Sequence, residues 1–442
     1  MLSMKEKIAY GLGDTASNII FQTVMMFLLI YYTDVVGLSP ALVGTLFLVV
    51  RIFDAITDPL MGAMADRTKS KWGQFRPYLL WLALPFGLIS VLAFTIFDLS
   101  DNGKIIYAFA TYSLLMIAYT AINIPYSALG GVLTAEPKER VSVQSYRFVF
   151  GMLGGLIVAA GTMPLVEYFG NGDKALGYQY TMIAMSALGV VLFLLCFAGT
   201  KERVIPPPQQ NSSFKQDLIC LWHNDQWRIL CLAGLLLLSG QVLRGTLAVY
   251  YVKYYLVRAD LITIFMTLGM IGSILGCALS QIVAKKFCKI KAYIVLQSIA
   301  AFICIISYFV APSQITLALG LFFLWSFFLQ MATPLLWAKM ADTIDYGHWK
   351  TGVRITGMVY SAVVFFIKLG VAIGGALAGW LLAYYGYQAD IEQNETTKHG
   401  ILISFTLFSA LGSILVAFVM RWYTLDTDKV NTIHQELQQN VS

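Results

Sequence analysis

Residues 44–59 run GTLFLVVRIFDAITDP, an apolar stretch with Arg51, Asp54 and Asp58 set inside it. Bounded by Pro40 and the charges after Ala65, it predicts a bilayer-spanning helix over roughly 40–65. At 100° per residue the three charges fall within about 60° of one another, on one helix face. Each costs on the order of 2.5 to 3.5 kcal/mol at the bilayer centre, so they are expected to face a cavity or each other.

The rest of the chain supports a membrane reading. Of 442 residues, 58% are hydrophobic and only 12% charged, against roughly 25% charged in soluble proteins. The apolar residues number about 256, close to the ~240 needed for twelve helices of ~20 residues. Spans are predicted at 8–36, 40–65, 78–97, 104–133, 142–168 and 177–199, then at 227–254, 260–284, 291–311, 314–343, 355–386 and 399–422. The chain therefore divides into a first six-helix bundle, 1–200, a linker, 201–226, a second bundle, 227–422, and a tail, 423–442. A soluble enzyme, a secreted scaffold and a nucleic-acid-binding protein are all disfavoured, and no cleaved signal peptide is expected at the N-terminus.

The net charge of +6 sorts by loop. Twenty of the 30 Lys and Arg residues fall on the side of the termini and even-numbered loops, from Lys5 to Lys429. Only Lys104, Lys174, Lys253, Arg258 and Lys398 fall on the other. The positive-inside rule then puts both termini in the cytoplasm. Arg51, Arg147, Arg244, Lys339 and Lys368 lie in or beside apolar stretches and are the expensive cations. The linker holds Pro206, Pro207, Pro208 and a polar run from Gln209 to Ser213. The two halves echo each other weakly: Asn123-Ile-Pro125, Glu136 to Arg140 and Arg147 in the first, Thr333-Pro334, Asp342 to Lys350 and Lys368 in the second. Six plus six spans around a linker is the pattern of parallel repeats with a midplane substrate site.

Polar residues inside the spans mark the chemistry. Asp54 and Asp58 with Thr57 supply hard oxygens for Na+ or a seat for H+; the competing reading is that Arg51 neutralises one aspartate in a purely structural clamp. Asn18, in a polar stripe with Asp14 and Gln22, offers an amide suited to sugar hydroxyls. Asp14, near the end of its span, reads more simply as an N-cap or the gate partner of a basic loop residue. Tyr119, Thr120, Asn123, Tyr126 and Ser127 form a polar and aromatic ladder in the fourth span, where Pro125 removes a helix donor. Arg147 and Lys368 are expected near Asp54, Asp58, Asn18 or a bound substrate. Asp66, Arg67 and Arg76 in the loop after the second span, and Asp342 and Asp345 at the end of the tenth, suit salt bridges that exist in one access state only.

Other chemistry has little support. The six cysteines show no CxxC pairing and read as small core residues. His223, His348, His399 and His434 lack metal-ligand spacing, and no nucleophile-elbow, Walker or HExxH motif appears.

At this point the sequence resembles the glycoside-pentoside-hexuronide:cation symporters, a branch of the major facilitator superfamily that includes the melibiose permeases. The stretches that carry it are Tyr10 to Asp14, Tyr31 to Gly37, Gly44 to Pro59, Arg67 to Pro77, Asn123 to Tyr126 and Ala341 to Gly347. The resemblance implies an all-α membrane protein of twelve transmembrane helices with the major facilitator fold. It implies that Asp54 and Asp58 bind the coupling cation, Na+ or H+, with Thr57 and Thr120 as oxygen donors. It further implies that Asn18, Asn123, Arg147 and Lys368 line the sugar site or its charge network. Melibiose permeases carry aspartates where Asn18 and Asn123 stand, asparagine where Thr57 stands and tryptophan where Ser127 stands, which moves this chain towards the pentoside and glucuronide carriers.

The expectation is thus a multi-pass inner-membrane symporter, importing a sugar or glycoside with a monovalent cation by alternating access. It needs no other cofactor, meets membrane lipid but no nucleic acid, and works as a monomer. A sugar receptor on a transporter scaffold and an efflux carrier for lipid-like compounds are the alternatives. The short stretch after Arg421, with no signalling domain, weighs against the first.

Overall fold

The computed structural model describes residues 2–134, 137–203, 219, 221–352 and 356–439, and every regular element among them is helical. The first six helices are α1 (Met4–Ile30), α2 (Pro40–Arg67), α3 (Arg76–Ala93), α4 (Asp101–Val132), α5 (Pro137–Gly170) and α6 (Lys174–Gly199). Then come α7 (Asp225–Tyr250), α8 (Ile262–Lys286), α9 (Lys289–Tyr308), α10 (Ile315–Thr351) and α11 (Thr356–Tyr384). The last span is built from α12 (Glu395–Ile403) and α13 (Ser409–Val419), and α14 (Thr427–Gln439) follows it. Among the described residues, 11 helices are long and apolar enough to cross a membrane. Helix α2, at 28 residues, adds a rod about 42 Å long at 1.5 Å per residue.

The helix starts follow from side chains that accept the orphan N–H groups of the first turn. Ser3, Ser39, Ser100, Asp173, Asn224 and Asn394 each do so. Two differences from the sequence expectation have physical causes. The tenth span continues as helix to Thr351, because nothing breaks it before Gly352 takes a left-handed φ of 73° and closes it. Asp345, two residues past the expected end of that span, is therefore helical as Asp342 is. The linker ends early, since Asn224 caps α7; residues 204–218, with Pro206–Pro208 and Lys215, lie outside the described residues.

The echo between halves is structural. α1 and α7 are both prolonged by a π-helical turn, Tyr31–Val35 and Tyr251–Tyr255, and α4 and α10 both carry an interior proline, Pro125 and Pro334.

The chain clusters into two compact units. The first comprises Met1–Pro208, Asp260–Thr267 and Leu382–Glu392; the second comprises Gln209–Ala259, Leu268–Leu381 and Gln393–Ser442. Within the first, α1 packs closely on α5 because α5 presents glycine to it: a Cβ on Gly154 would stand 2.8 Å from the Thr15 carbonyl. Thr15 Oγ1 in turn donates to the Phe150 carbonyl at 2.8 Å. In the second unit Gly276 lets α8 meet the Phe327 carbonyl of α10. Small residues at such crossings are how helices associate in a solvent that is itself apolar. Large side chains such as Phe302, Phe309, Ile106 and Met64 are instead exposed, as a surface facing hydrocarbon requires.

Candidate functional site

The charged face of α2 folds onto α4. Arg51 and Asp54 are buried, while Thr57 and Asp58 are half-buried. Arg51 Nη1 stands 3.6 Å from Asp54 Oδ2 one turn along the same helix. The guanidinium also reaches α1, with Nη2 3.6 Å from the Met25 sulfur and its carbon 5.3 Å from the centre of the Phe21 ring. Arg51 thus pairs with an aspartate of its own helix while its guanidinium contacts α1. Across the interface Thr120 Oγ1 lies 3.1 Å from Asp54 Oδ1 and 3.0 Å from Asp58 Oδ1. Thr57 Oγ1 donates to the Asp54 carbonyl at 3.1 Å, which leaves its lone pairs to act as ligands.

A second cluster begins about 10 Å further along α4, seven residues on from Thr120. Arg147 of α5 donates from Nε to Asp14 Oδ1 at 3.0 Å and from Nη2 to Ser127 Oγ at 3.0 Å. Its guanidinium lies 5.2 Å from the Tyr126 ring centre. Asn18 Nδ2 bonds the Asp14 carbonyl at 2.9 Å and the Asp14 carboxylate at 3.3 Å. Between the clusters Asn123 donates to the Tyr119 hydroxyl at 3.1 Å, and the Tyr119 ring stacks on Phe21, which lies under Arg51. Asn18, Tyr119, Asn123, Ser127 and Arg147 are all half-buried, a degree of exposure suited to binding a polar solute.

A family model described as MFS/sugar transport protein matches residues 9–427. The chain belongs to that family. Its sequence is 43% identical over 442 residues to the inner membrane symporter YicJ of Escherichia coli (strain K12), covering 99% of this chain and 96% of the relative. It is also 43% identical to the putative glycoside/cation symporter YagG of the same organism, covering 99% and 95%. The isoprimeverose transporter of Lactiplantibacillus pentosus is 34% identical, covering 96% and 90%. Two solved structures share the fold. A bacterial homolog of the human lysosomal transporter Spinster has TM-score 0.69 at 12% identity, covering 95% of this chain and 98% of that one. The nucleoside transporter NupG has TM-score 0.64 at 13% identity, covering 95% and 100%.

In this member of the MFS/sugar transport family, several expected placements are corrected. Asp14 is neither an N-cap, since Ser3 caps α1, nor the partner of a loop cation; it is 9% exposed and paired with Arg147. Arg147 accordingly pairs with Asp14 and so stands beside Asn18, one of the positions expected for it, rather than with Asp54 or Asp58. Arg76 donates from Nη2 to the Phe197 carbonyl at 2.7 Å, at the end of α6, rather than to an acid. The Asp66 side chain lies outside the described residues, and Arg67 is exposed at the end of α2. Asp342 is bonded by Lys339 of its own helix at 2.9 Å, and Lys339 also holds the Leu425 carbonyl at 2.8 Å. Asp345 and Lys368 are half-buried in the second unit.

Sequence reasoning missed Glu202, whose carboxylate accepts the backbone N–H groups of Gln74, Phe75 and Arg76, each at 2.8 Å. Gly73, at φ 110°, makes room: a Cβ there would lie 2.5 Å from the Glu202 carboxyl carbon. Glu202 thus closes the start of α3 onto the end of α6, as an anion at a helix N-terminus should. Glu202→Gln is expected to destabilise the protein by about 1.5–3 kcal/mol through loss of charge-assisted bonds. Unfolding in detergent checks this, and an unchanged unfolding midpoint would contradict it. Asp225 was also missed: Lys350 Nζ and the Tyr346 hydroxyl converge on its Oδ1 at 2.6 and 3.0 Å. The Asp225 hydrogen bond raises the Lys350 pKa, so the lysine stays charged at neutral pH and the pair is lost only as pH rises through that raised value.

Proposed function

We propose that this chain is a secondary active transporter that imports a sugar or glycoside together with one monovalent cation, by alternating access. Membership of a sugar-transport family supports the class of cargo. The names of relatives as glycoside/cation symporter and isoprimeverose transporter support glycoside symport rather than a receptor or lipid efflux.

The observation that carries cation coupling is the shared Thr120 hydroxyl. A hydroxyl holds one proton and donates to one acceptor at a time, yet it stands within hydrogen-bond distance of both carboxylates. The second contact is completed by a proton on one carboxyl or by a cation among the oxygens. Arg51, 3.6 Å from Asp54 Oδ2, offsets part of the negative charge of the two carboxylates, as suits a monovalent rather than a divalent cation. Asp54, Asp58, Thr57 and Thr120 would hold Na+ or H+ as cargo. The neighbouring amides, hydroxyls and guanidinium of Asn18, Asn123, Tyr119, Ser127 and Arg147 would hold the sugar. Cation binding would then favour the sugar-binding state, which makes coupling a difference in stability between access states.

The lysine and arginine bias supports cytoplasmic termini, and the protein is read as an inner-membrane monomer in contact with lipid. The test is uptake of labelled xylosides, glucosides, galactosides and glucuronides into proteoliposomes under an imposed Na+ or H+ gradient. One class should accumulate, and only with the gradient. Gradient-independent equilibration of every sugar would contradict symport.

A further inference from the structure

We infer that Asp14 is the sugar-binding carboxylate of this transporter, acting as a pair with Arg147; this rests on the symporter reading above. Position 18 of α1 carries an amide, Asn18, and not an acid. The structure instead puts a carboxylate one turn earlier on the same face of α1, at Asp14, and ties Asn18 to it through Nδ2 at 3.3 Å.

The surroundings are shaped for that carboxylate. Gly151 of α5 faces it, and a Cβ at that position would stand 2.2 Å from Asp14 Oδ2. Any side chain at 151 would push Asp14 away. One turn along, Gly154 would crowd Asn18 Cβ at 3.0 Å, so the same pair of small residues seats both Asp14 and Asn18.

Arg147 is only partly used. Of the five N–H donors of a guanidinium, one goes to Asp14 and one to Ser127. The side chain also meets the buried Tyr10 hydroxyl, yet it remains 21% exposed beside an Asp14 side chain at 13%. A fixed carboxylate beside a guanidinium with spare donors is a recognition unit for adjacent hydroxyls: the carboxylate accepts from one, the guanidinium donates to the next. Asn18 and Ser127, bonded to the two members, hold the unit in register. Asp14 therefore selects which vicinal hydroxyls of the sugar are read, while the cation is held separately at Asp54 and Asp58.

The test compares Asp14→Asn, Asn18→Asp and the double variant Asp14→Asn/Asn18→Asp with the parent in proteoliposomes. The probes are methyl xyloside, glucoside, galactoside and glucuronide, together with a panel of their deoxy analogues. Cation binding without sugar is followed separately by tracer Na+ and by proton release. The inference predicts that Asp14→Asn raises the sugar KM tenfold or more with cation binding unchanged, while the unfolding midpoint falls because Arg147 loses its counter-charge. The double variant should regain much of the affinity with a different order of preference among the deoxy sugars. A KM within twofold of the parent in Asp14→Asn, or a loss that moving the acid to position 18 does not relieve, overturns it. If Asp14→Asn fails to fold, the double variant decides alone: uptake with a changed sugar order supports the inference, and absent uptake or the parent's order overturns it. A parent protein that moves no sugar would overturn the symporter reading itself and this inference with it. A parent that moves sugar with cation but ignores Asp14 overturns this inference alone.

Discussion

Asp58→Ala should reduce the sugar accumulation ratio to about one, the value of passive equilibration, while leaving sugar exchange across the membrane intact. The reason lies in the charge at the cation cluster. Removing Asp58 leaves Arg51 and Asp54 as a neutral pair 3.6 Å apart, with Thr120 still bonded to Asp54 at 3.1 Å. That assembly loses one carboxylate ligand for the cation, while the Arg51–Asp54 and Thr120–Asp54 contacts remain, so it should fold. Asp54→Asn is a harsher change, because Arg51 is 5% exposed and would lose its counter-charge, at a cost of about 3–5 kcal/mol. Uptake under an ion gradient, measured beside counterflow in the same vesicles, separates loss of coupling from loss of protein. Full accumulation in Asp58→Ala would exclude the aspartate as the cation ligand.

Arg147→Ala should abolish sugar transport and destabilise the protein by about 3–5 kcal/mol, the cost of stranding a partner of a largely buried ion pair. Asp14 is 9% exposed, and Arg147 is its counter-charge at 3.0 Å. Adding Asp14→Asn to Arg147→Ala removes the stranded charge and should recover most of the stability without restoring transport. A double-mutant cycle on unfolding therefore shows strong coupling, of the order of 0.5–3 kcal/mol for residues in contact. Additive losses would mean that the two side chains do not interact.

Much of this was legible before any coordinates. Long apolar runs between Gly, Pro and charge gave the helix positions to within a few residues, because a bilayer permits backbone polar groups few other solutions. The exceptions are instructive. The tenth span was expected to end at 343, but Lys339 and Asp225 pair with the charges of Asp342 and Lys350 and the helix runs on to Thr351. The cation cluster was visible in the spacing of Arg51, Asp54 and Asp58 on one face. Its closure by Thr120 needed the α2–α4 contact. Asp14 was misjudged because its depth in the bundle depends on Gly151 and Gly154, 137 and 140 residues later in the chain, and pattern along one helix carries no information about a facing glycine. Glu202 was overlooked for a similar reason: beside the linker it resembles an ordinary solvated acid, and only the fold brings the start of α3 to it.

The central claim is that the carboxylates of Asp54 and Asp58, with Arg51 beside them, bind one monovalent cation and couple it to sugar. The most direct test sets a membrane potential and an ion gradient across proteoliposomes and finds the opposing sugar gradient at which net sugar flow stops. An elementary charge crossing 100 mV is worth about 2.3 kcal/mol, so the balance point reports how many charges accompany each sugar. The account predicts one cation and one positive charge per sugar, with the dependence lost in Asp58→Ala. A balance point that ignores both the potential and the ion gradient would contradict it.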